Sequence, residues 1–313
     1  MKIVFFGTPA FAVPFLEALT NESDFNVACV VTQPDKPSGR GGKITSPEVK
    51  IFAEQKNIPI LQFQSLKKTE AVETLSTFHA DIFVVVAYGK LIPSSILNIP
   101  PKGVVNVHPS LLPKYRGPSP IQSSILNGDK KTGISIMLLD EGMDTGPILA
   151  QKTLELLENE TTISLELKIH SIGPKFLCDV LRSYVNGNCM PSVQNDQEAS
   201  VSRLLSKEDG LINWNSDAKS IERMIRAFVP WPTAWTTIKI NDERVRVKIL
   251  EAKITQTNLN KPNGTLCENQ GKLFVAINSE ALELITLQPE GKAPMQAQAF
   301  LAGRNDWIGK TFE

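Results

Sequence analysis

The chain is short of the residues that build covalent and metal scaffolds. Among its 313 residues there are four cysteines, Cys29, Cys178, Cys189 and Cys267, far apart and without a C-x-x-C pair. Neither a zinc ribbon nor a disulfide framework is expected, and the four read as reduced thiols of a cytoplasmic chain. The three histidines form no H-E-x-x-H or H-x-x-E-H pattern, so a zinc site is not expected. There is no G-x-G-x-x-G, which removes the dinucleotide fingerprint. There is no G-x-S-x-G, and no cysteine adjoins a histidine, so a covalent acyl-enzyme is not expected. Neither sign of charge is in excess, with Lys+Arg and Asp+Glu both at 33. A basic field over the whole protein is excluded, and any nucleic-acid partner must be held by a local patch. No apolar run reaches the ~20 residues of a membrane span. The opening M-K-I-V-F-F-G enters a strand pattern directly, without the apolar core and cleavage site of a secretory signal.

What remains is an ordinary globular composition, 42% hydrophobic and 21% charged. The length suits two domains with sizeable cores. Over 1–187, short apolar runs alternate with helical patterns, at 2–7, 26–32, 58–61, 80–88, 103–108, 133–139 and 148–155 for the strands. That alternation predicts an α/β domain with a Rossmann-like, doubly wound, mainly parallel sheet. Thr8 is the expected N-cap of the first helix, with Pro9 as its first residue. Residues 188–203 are polar and aperiodic, a linker. From 204 to 313 a helix is followed by about five short alternating strands and a final helix from 295, the pattern of a small OB-like β-barrel.

The most informative stretch is 103–117, G-V-V-N-V-H-P-S-L-L-P-K-Y-R-G. Asn106 and His108 are two apart at the end of a strand, so they project to one face. Carboxyl ends of strands are where open α/β sheets place ligands. The acidic loop D-E-G-M-D-T-G-P at 140–147 also follows a strand, and Asp144 is expected to meet the pair. An amide donor beside an imidazole suits an oxyanion, and a carboxylate in reach raises the imidazole pKa by favouring its charged form. The pattern favours direct transfer of an acyl or one-carbon group between two bound substrates. The loop V-V-T-Q-P-D-K-P-S-G-R-G at 30–41 and the following Lys43 offer an irregular basic arm, either a plain surface excursion or a phosphate contact through Arg40 and Lys43.

These segments together resemble the 10-formyltetrahydrofolate-dependent formyltransferases. The likeness rests on N-V-H-P-S-L-L-P-K-Y-R-G at 106–117 with D-E-G-M-D-T-G-P downstream. It extends to F-F-G-T-P-A-F-A-V-P at 5–14, V-V-V-A-Y-G-K-L-I-P at 84–93, S-K-E-D-G-L-I-N-W at 206–214, R-A-F-V-P-W-P-T-A-W at 226–235 and the tail at 291–304. The resemblance implies that Asn106, His108 and Asp144 are the catalytic trio. It implies that Ser110, Leu111, Leu112 and Pro113, with Tyr88 and Gly89, bind 10-formyltetrahydrofolate as co-substrate without a metal. It implies a loop around Arg40 that engages initiator methionyl-tRNA, with the 204–313 barrel as a tRNA-binding domain. The chain departs from the family pattern in the linker, where Arg203 stands near the place of a customary lysine. Two alternatives are a formyl transfer to a small amine, such as a nucleotide sugar, and a folate- or RNA-binding module without turnover. The glycine-arginine loop and the full second domain speak against the first, the intact trio against the second. With no heptad seam or long exposed edge strand, a monomer is expected.

Overall fold

The computed structural model describes residues 1–38 and 43–313. Two compact units emerge. One comprises Met1–Pro120, Lys131–Glu155 and Glu166–Arg203, the other Ile121–Lys130, Leu156–Leu165 and Leu204–Glu313.

The elements of the first part of the chain run β1 (Lys2–Gly7), α1 (Val13–Asn21), β2 (Asn26–Val31), β3 (Lys36–Ser38), β4 (Lys43–Thr45), α2 (Glu48–Gln55), β5 (Ile60–Leu61), α3 (Thr69–Ser76), β6 (Ile82–Val86), α4 (Ser94–Leu97), β7 (Val104–His108), α5 (Pro120–Asn127), β8 (Lys131–Leu138), β9 (Ile148–Glu155) and α6 (Thr162–Val185). Among the described residues, one seven-stranded sheet has the order β5-β2-β1-β6-β7-β8-β9. β1 pairs parallel with β2 and β6, and β6 with β7, while β8 runs antiparallel to both β7 and β9. The sheet is therefore Rossmann-like and mainly parallel, with an antiparallel margin. Every residue of β6 is buried, as an apolar strand at the middle of a two-faced sheet must be. Val4, Phe6, Phe83 and Tyr88 sit in one of its cores. Burial pushes the Cys29 thiol up to about 12 and that of Cys178 up to about 11, so both are inert at neutral pH.

Two local expectations are corrected. Thr8 does not cap the first helix. Its hydroxyl donates to the Tyr88 carbonyl at 2.9 Å, and a 3-10 turn at Ala10–Ala12 precedes α1. The segment read as an irregular loop carries a short antiparallel strand pair, β3 with β4, in which Lys36, Pro37 and Ser38 are opposite Thr45, Ile44 and Lys43.

The second unit carries α7 (Ala218–Phe228), β10 (Ala234–Ile240), β11 (Glu243–Thr255), β12 (Leu266–Asn269), β13 (Lys272–Ile277), β14 (Glu280–Pro289), β15 (Met295–Gln296) and α8 (Ala297–Gly303). The helix expected from 295 thus starts two residues later. The antiparallel order is β10-β11-β14-β13-β12, with β15 on β14. The last residues join the two edges: Phe312 bridges to Ile238 of β10, and Thr311 to Thr265 before β12. Closure of this kind removes the exposed edges of an OB-like barrel. Asp217 caps α7 by accepting from the Ser220 N–H at 2.9 Å, a bond of about 1 kcal/mol. The helix buries Ile221 and Ile225 with Trp214 and Phe300 in the barrel core.

Candidate active site

The site is assembled from β7 and from two loops of the same unit. The two-residue period of β7 puts Asn106 and His108 on one face, and the antiparallel β8 brings its own following loop back beside them. Asp144 lies on that loop with φ +54, a left-handed conformation that aspartate tolerates better than most residues. Its carboxylate is the hub. One oxygen accepts from the Gly117 N–H at 2.7 Å and lies 3.5 Å from His108 Nδ1. The other stands 3.5 Å from Asn106 Nδ2. The three residues predicted to converge are therefore brought together.

His108 is 4% exposed. Its Nε2 lies 2.9 Å from the Tyr115 carbonyl. A carbonyl only accepts, so Nε2 carries a hydrogen and Nδ1 is left facing Asp144. Burial pushes the imidazole below its ordinary range, while the Asp144 carboxylate and the Tyr115 carbonyl pull it upward. The expectation that the carboxylate would raise this histidine is corrected on that ground. The pull exists, but desolvation of the charged form outweighs it. Burial thus favours the neutral, proton-accepting form of the ring beside the Asp144 carboxylate. In a heteronuclear titration, the His108 imidazole should therefore change below the ordinary midpoint of about 6.5. In Asp144→Asn the upward pull is gone and the midpoint should fall further; a midpoint at or above 6.5 in the wild type would contradict this account.

The segment 110–113 is rigid rather than open. The Ser110 and Leu112 side chains are buried. Ser110 Oγ donates to the Lys114 carbonyl at 2.6 Å. Ser135 Oγ donates to the Ser110 carbonyl at 2.7 Å and accepts from the Leu112 N–H at 3.0 Å. Gln151 Nε2 donates to Ser135 Oγ and to the Leu112 carbonyl. Leu111 is partly buried, and its side chain fills the space that a Cβ at Gly133 would take. The Leu112–Pro113 peptide bond is cis.

Tyr88 is buried, and its hydroxyl has no hydrogen-bond partner among the described residues. Burial pushes the phenol up to about 12. Its carbonyl accepts from Gln33 Nε2 as well as from Thr8. Gly89 follows at φ +79, and a Cβ there would lie 2.8 Å from Gln33 Nε2. A cavity of about 260 Å³ has Leu97, Val104, Leu138 and Leu139 on its apolar walls and Glu141 and Ser94 among its polar ones. Ser94 Oγ donates to Glu141 at 2.7 Å. Arg40 lies outside the described residues. Lys43 opens β4, and the base of the β3–β4 pair is fastened by Asp35, which accepts from Lys50, Gln62 and Ser46. The Lys50 bond, first among these, holds the Asp35 carboxyl below its usual range.

For several residues of the site the sequence predicts no role. Arg116 and Gln194 are each 8% exposed. Arg116 donates through Nε and Nη2 to Gln194 Oε1 at 3.1 and 2.9 Å, and through Nη2 to Asp196 at 2.8 Å. Ser200 and Ser202 bond the backbone of residues 113–119. Buried polar groups with long-range partners carry no periodic signal, so only coordinates reveal them.

On the barrel, Lys239, Arg244, Arg246 and Lys248 lie on one face of the β10–β11 pair. Lys239 is opposite Arg244, Thr237 opposite Arg246 and Trp235 opposite Lys248. The Arg246 guanidinium stands 4.0 Å over the Trp235 ring. Two basic residues of α7 are engaged elsewhere. Arg226 is spent on Glu222 and the Glu160 carbonyl, and Arg223 reaches the Asn127 carbonyl.

Residues 1–181 match the model of the family described as formyl transferase, and 204–305 that of its C-terminal domain. The chain is 40% identical over 311 residues to a methionyl-tRNA formyltransferase of Pseudoalteromonas translucida, covering 98% of this chain and 95% of that one. It is 43% identical over 305 residues to one of Chloroflexus aurantiacus, covering 97% of each. A crystal structure of HypX from Aquifex aeolicus in complex with tetrahydrofolic acid is similar at TM-score 0.63 and 15% identity, over 98% of this chain and 48% of that longer one. At that identity the likeness is one of fold.

Proposed function

The chain belongs to the formyl transferase family, and from that premise we propose that it moves the formyl group of 10-formyltetrahydrofolate to the amino group of methionine on initiator methionyl-tRNA. The observation that carries the reading is the convergence of Asn106, His108 and Asp144 about one carboxylate. It occurs in a chain at least 40% identical, over nearly its whole length, to methionyl-tRNA formyltransferases.

The chemistry follows from the groups present. The amine lone pair attacks the formyl carbon, the C–N bond to the acceptor forms, and the carbonyl oxygen becomes an oxyanion. Asn106 Nδ2 is an uncharged donor for that oxygen; one such donor is typically worth ~10²–10³ in rate. The attacking nitrogen must lose a proton. The buried His108 ring, held toward its neutral form by desolvation, is the acceptor for it through Nδ1, which faces the Asp144 carboxylate, a general-base contribution of roughly 10²–10⁴. The imidazolium so formed stands in a site with little water to screen it, where its charge favours the oxyanion. Collapse breaks the bond to the folate nitrogen, which takes up a proton and leaves as tetrahydrofolate.

For the folate, the cavity beside α4 and the 140–144 loop fits a flat ring carrying an amino group. Its leucine and valine walls accept the ring faces, and Glu141 is an acceptor for N–H donors. Ser110, Leu111, Leu112 and Pro113, with Tyr88 and Gly89, are the further folate contacts in this reading, and they lie outside the lining of that cavity. For the tRNA, the β10–β11 face offers Arg246, Lys248 and the Trp235 ring, with Arg244 paired to Glu313 and Lys239 to Asp242, a surface suited to a phosphate backbone. Arg40 and Lys43 are read as a second basic contact for the tRNA. Every residue of the proposed centre comes from one chain, so the reaction needs no second copy, and we read the enzyme as a monomer. No helix among the described residues is long and apolar enough to cross a membrane, and a substrate used in translation places the enzyme in the cytoplasm.

The test is an acceptor panel at fixed 10-formyltetrahydrofolate: charged initiator tRNA, charged elongator tRNA, and nucleotide-linked amino sugars. Initiator methionyl-tRNA should be formylated with the highest kcat/KM. That value should fall steeply with salt, and Arg40→Ala should lower it without changing folate binding. Equal or faster formylation of an amino sugar, with a flat salt response, would overturn the acceptor assignment.

A further inference from the structure

We propose that Gln194 is a positioning residue for the reaction, its side-chain amide fixing the main chain of Asp144 so that the Asp144 carboxylate faces Asn106 and His108. The inference rests on the reading of those three residues as the catalytic centre.

The bonds around Gln194 form a closed circuit. Its Nε2 donates to the Asp144 carbonyl at 2.8 Å and to the Gly146 carbonyl at 2.7 Å. Its Oε1 accepts both bonds from Arg116. Two hydrogens and two lone pairs are all that a primary amide has, so the side chain is saturated and has one orientation. Arg116 in turn is held through its backbone. Its N–H donates to the Ser200 carbonyl at 2.9 Å, and its carbonyl accepts from the Ser202 N–H at 2.7 Å. The next residue, Gly117, donates its N–H to Asp144 Oδ2 at 2.7 Å. The circuit thus runs from Gln194 through Arg116 and Gly117 to the Asp144 carboxylate, and from the Asp144 carbonyl back to Gln194.

The physical need for such a device is visible in the backbone. Asp144 at φ +54 and Tyr115 at φ +59 are both non-glycine residues in the left-handed region. Such conformations persist only where surrounding bonds over-determine them. Tyr115 is held by its N–H to Ser200 Oγ at 2.9 Å, and its carbonyl is the one that His108 Nε2 meets. Asp144 has its carbonyl held by Gln194. Without that bond, the 140–147 loop is free to relax toward an ordinary backbone angle, which would turn the carboxylate away from His108. Gln194 touches none of the reacting atoms; it acts through Asp144.

Two substitutions separate the parts of the amide. Gln194→Glu keeps both acceptors for Arg116 and removes both donors toward the Asp144 and Gly146 carbonyls. Gln194→Met keeps the volume and removes everything polar. Both variants, assayed per tetrahydrofolate-binding site counted by calorimetry, should lose 10- to 100-fold in kcat. The KM values for 10-formyltetrahydrofolate and for methionyl-tRNA should stay within threefold. A residue that only stabilised the fold would reduce the number of folate sites and leave kcat per site unchanged. Wild-type kcat per site in Gln194→Glu overturns the proposal even if Gln194→Met is slow, because the acceptors alone would then suffice. If Gln194→Met does not fold, Gln194→Glu with its Arg116 partner intact decides the matter alone. His108→Ala in the same assay tests the centre itself. Should it turn over normally, the reading of the trio fails, whatever the Gln194 variants do.

Discussion

Asp144→Asn should lower kcat/KM for formyl transfer by ~10³-fold while costing about 1 kcal/mol of stability. The substituted amide keeps shape and retains an oxygen that accepts from the Gly117 N–H. What it loses is the charge. An Asn106 amide and a His108 ring then face a neutral group, and one of the new amide's hydrogens is directed at other donors or at Nδ1. The downward push of burial on His108 then goes less opposed. The ring is a weaker proton acceptor, and the imidazolium formed during the reaction has no counter-ion. Both consequences act on the transition state more than on the bound substrates, so the loss belongs in kcat, with KM little changed. His108→Ala should fall by a similar factor, and the double variant by little more, since groups that act as one unit are not additive. Single-turnover kinetics on preformed complexes, with the thermal midpoint of each variant beside them, check the result. Turnover within tenfold of wild type in both single variants would remove the pair from the chemistry.

The parts of this site that were legible in the sequence are those set by a short period. Asn106 and His108 are two apart in an apolar strand, so their shared face follows from strand geometry alone. Asp144 follows a second strand, but β8 runs antiparallel to β7 with Leu138 opposite Val105, so the loop after β8 starts at the amino end of β7 and has to turn back to bring Asp144 beside the pair, which the strand pattern does not encode. The all-buried β6 was legible from its uninterrupted apolar run. The rest depends on long-range bonds between irregular segments. Gln194 sits in a polar stretch with no repeat, and its partners Arg116, Asp144 and Gly146 lie 48 to 78 positions away. Ser135 and Gln151 look like ordinary strand residues, yet they hold the 110–113 backbone. The bridges of Thr311 and Phe312, which close the barrel, come from a tail with no strand pattern. The direction of β8 was also hidden, since an apolar run does not say which way it will pair. The two-sided charge of His108 needed burial as well as neighbours, and only burial decides its sign.

Gly117→Ala should destabilise the chain by about 2–4 kcal/mol and lower kcat by ~10²-fold, although it adds a single methyl group. Gly117 has φ +107, further into the glycine-favoured region than Asp144 or Tyr115. A Cβ there would lie 2.6 Å from the Ser202 carbonyl oxygen, which is backbone and has no rotamer by which to move away. That carbonyl belongs to the same strap whose Ser202 N–H holds Arg116. The loop must therefore shift as a whole, and the first bond to lengthen is the one from the Gly117 N–H to Asp144. A displacement of about 1 Å in a catalytic group costs on the order of 10² in rate, which is the origin of the kinetic loss. Gly187→Ala separates strain from position. Gly187 also has positive φ, +76, but among the described residues nothing lies within 4 Å of its would-be Cβ, and it follows the end of α6, outside the circuit. It should lose about 1 kcal/mol and keep wild-type kcat. Denaturant unfolding gives the two stabilities, and kcat per folate site gives the two rates. If Gly117→Ala is slow only in proportion to its unfolded fraction, as Gly187→Ala is expected to be, the N–H of residue 117 has no part in holding the carboxylate.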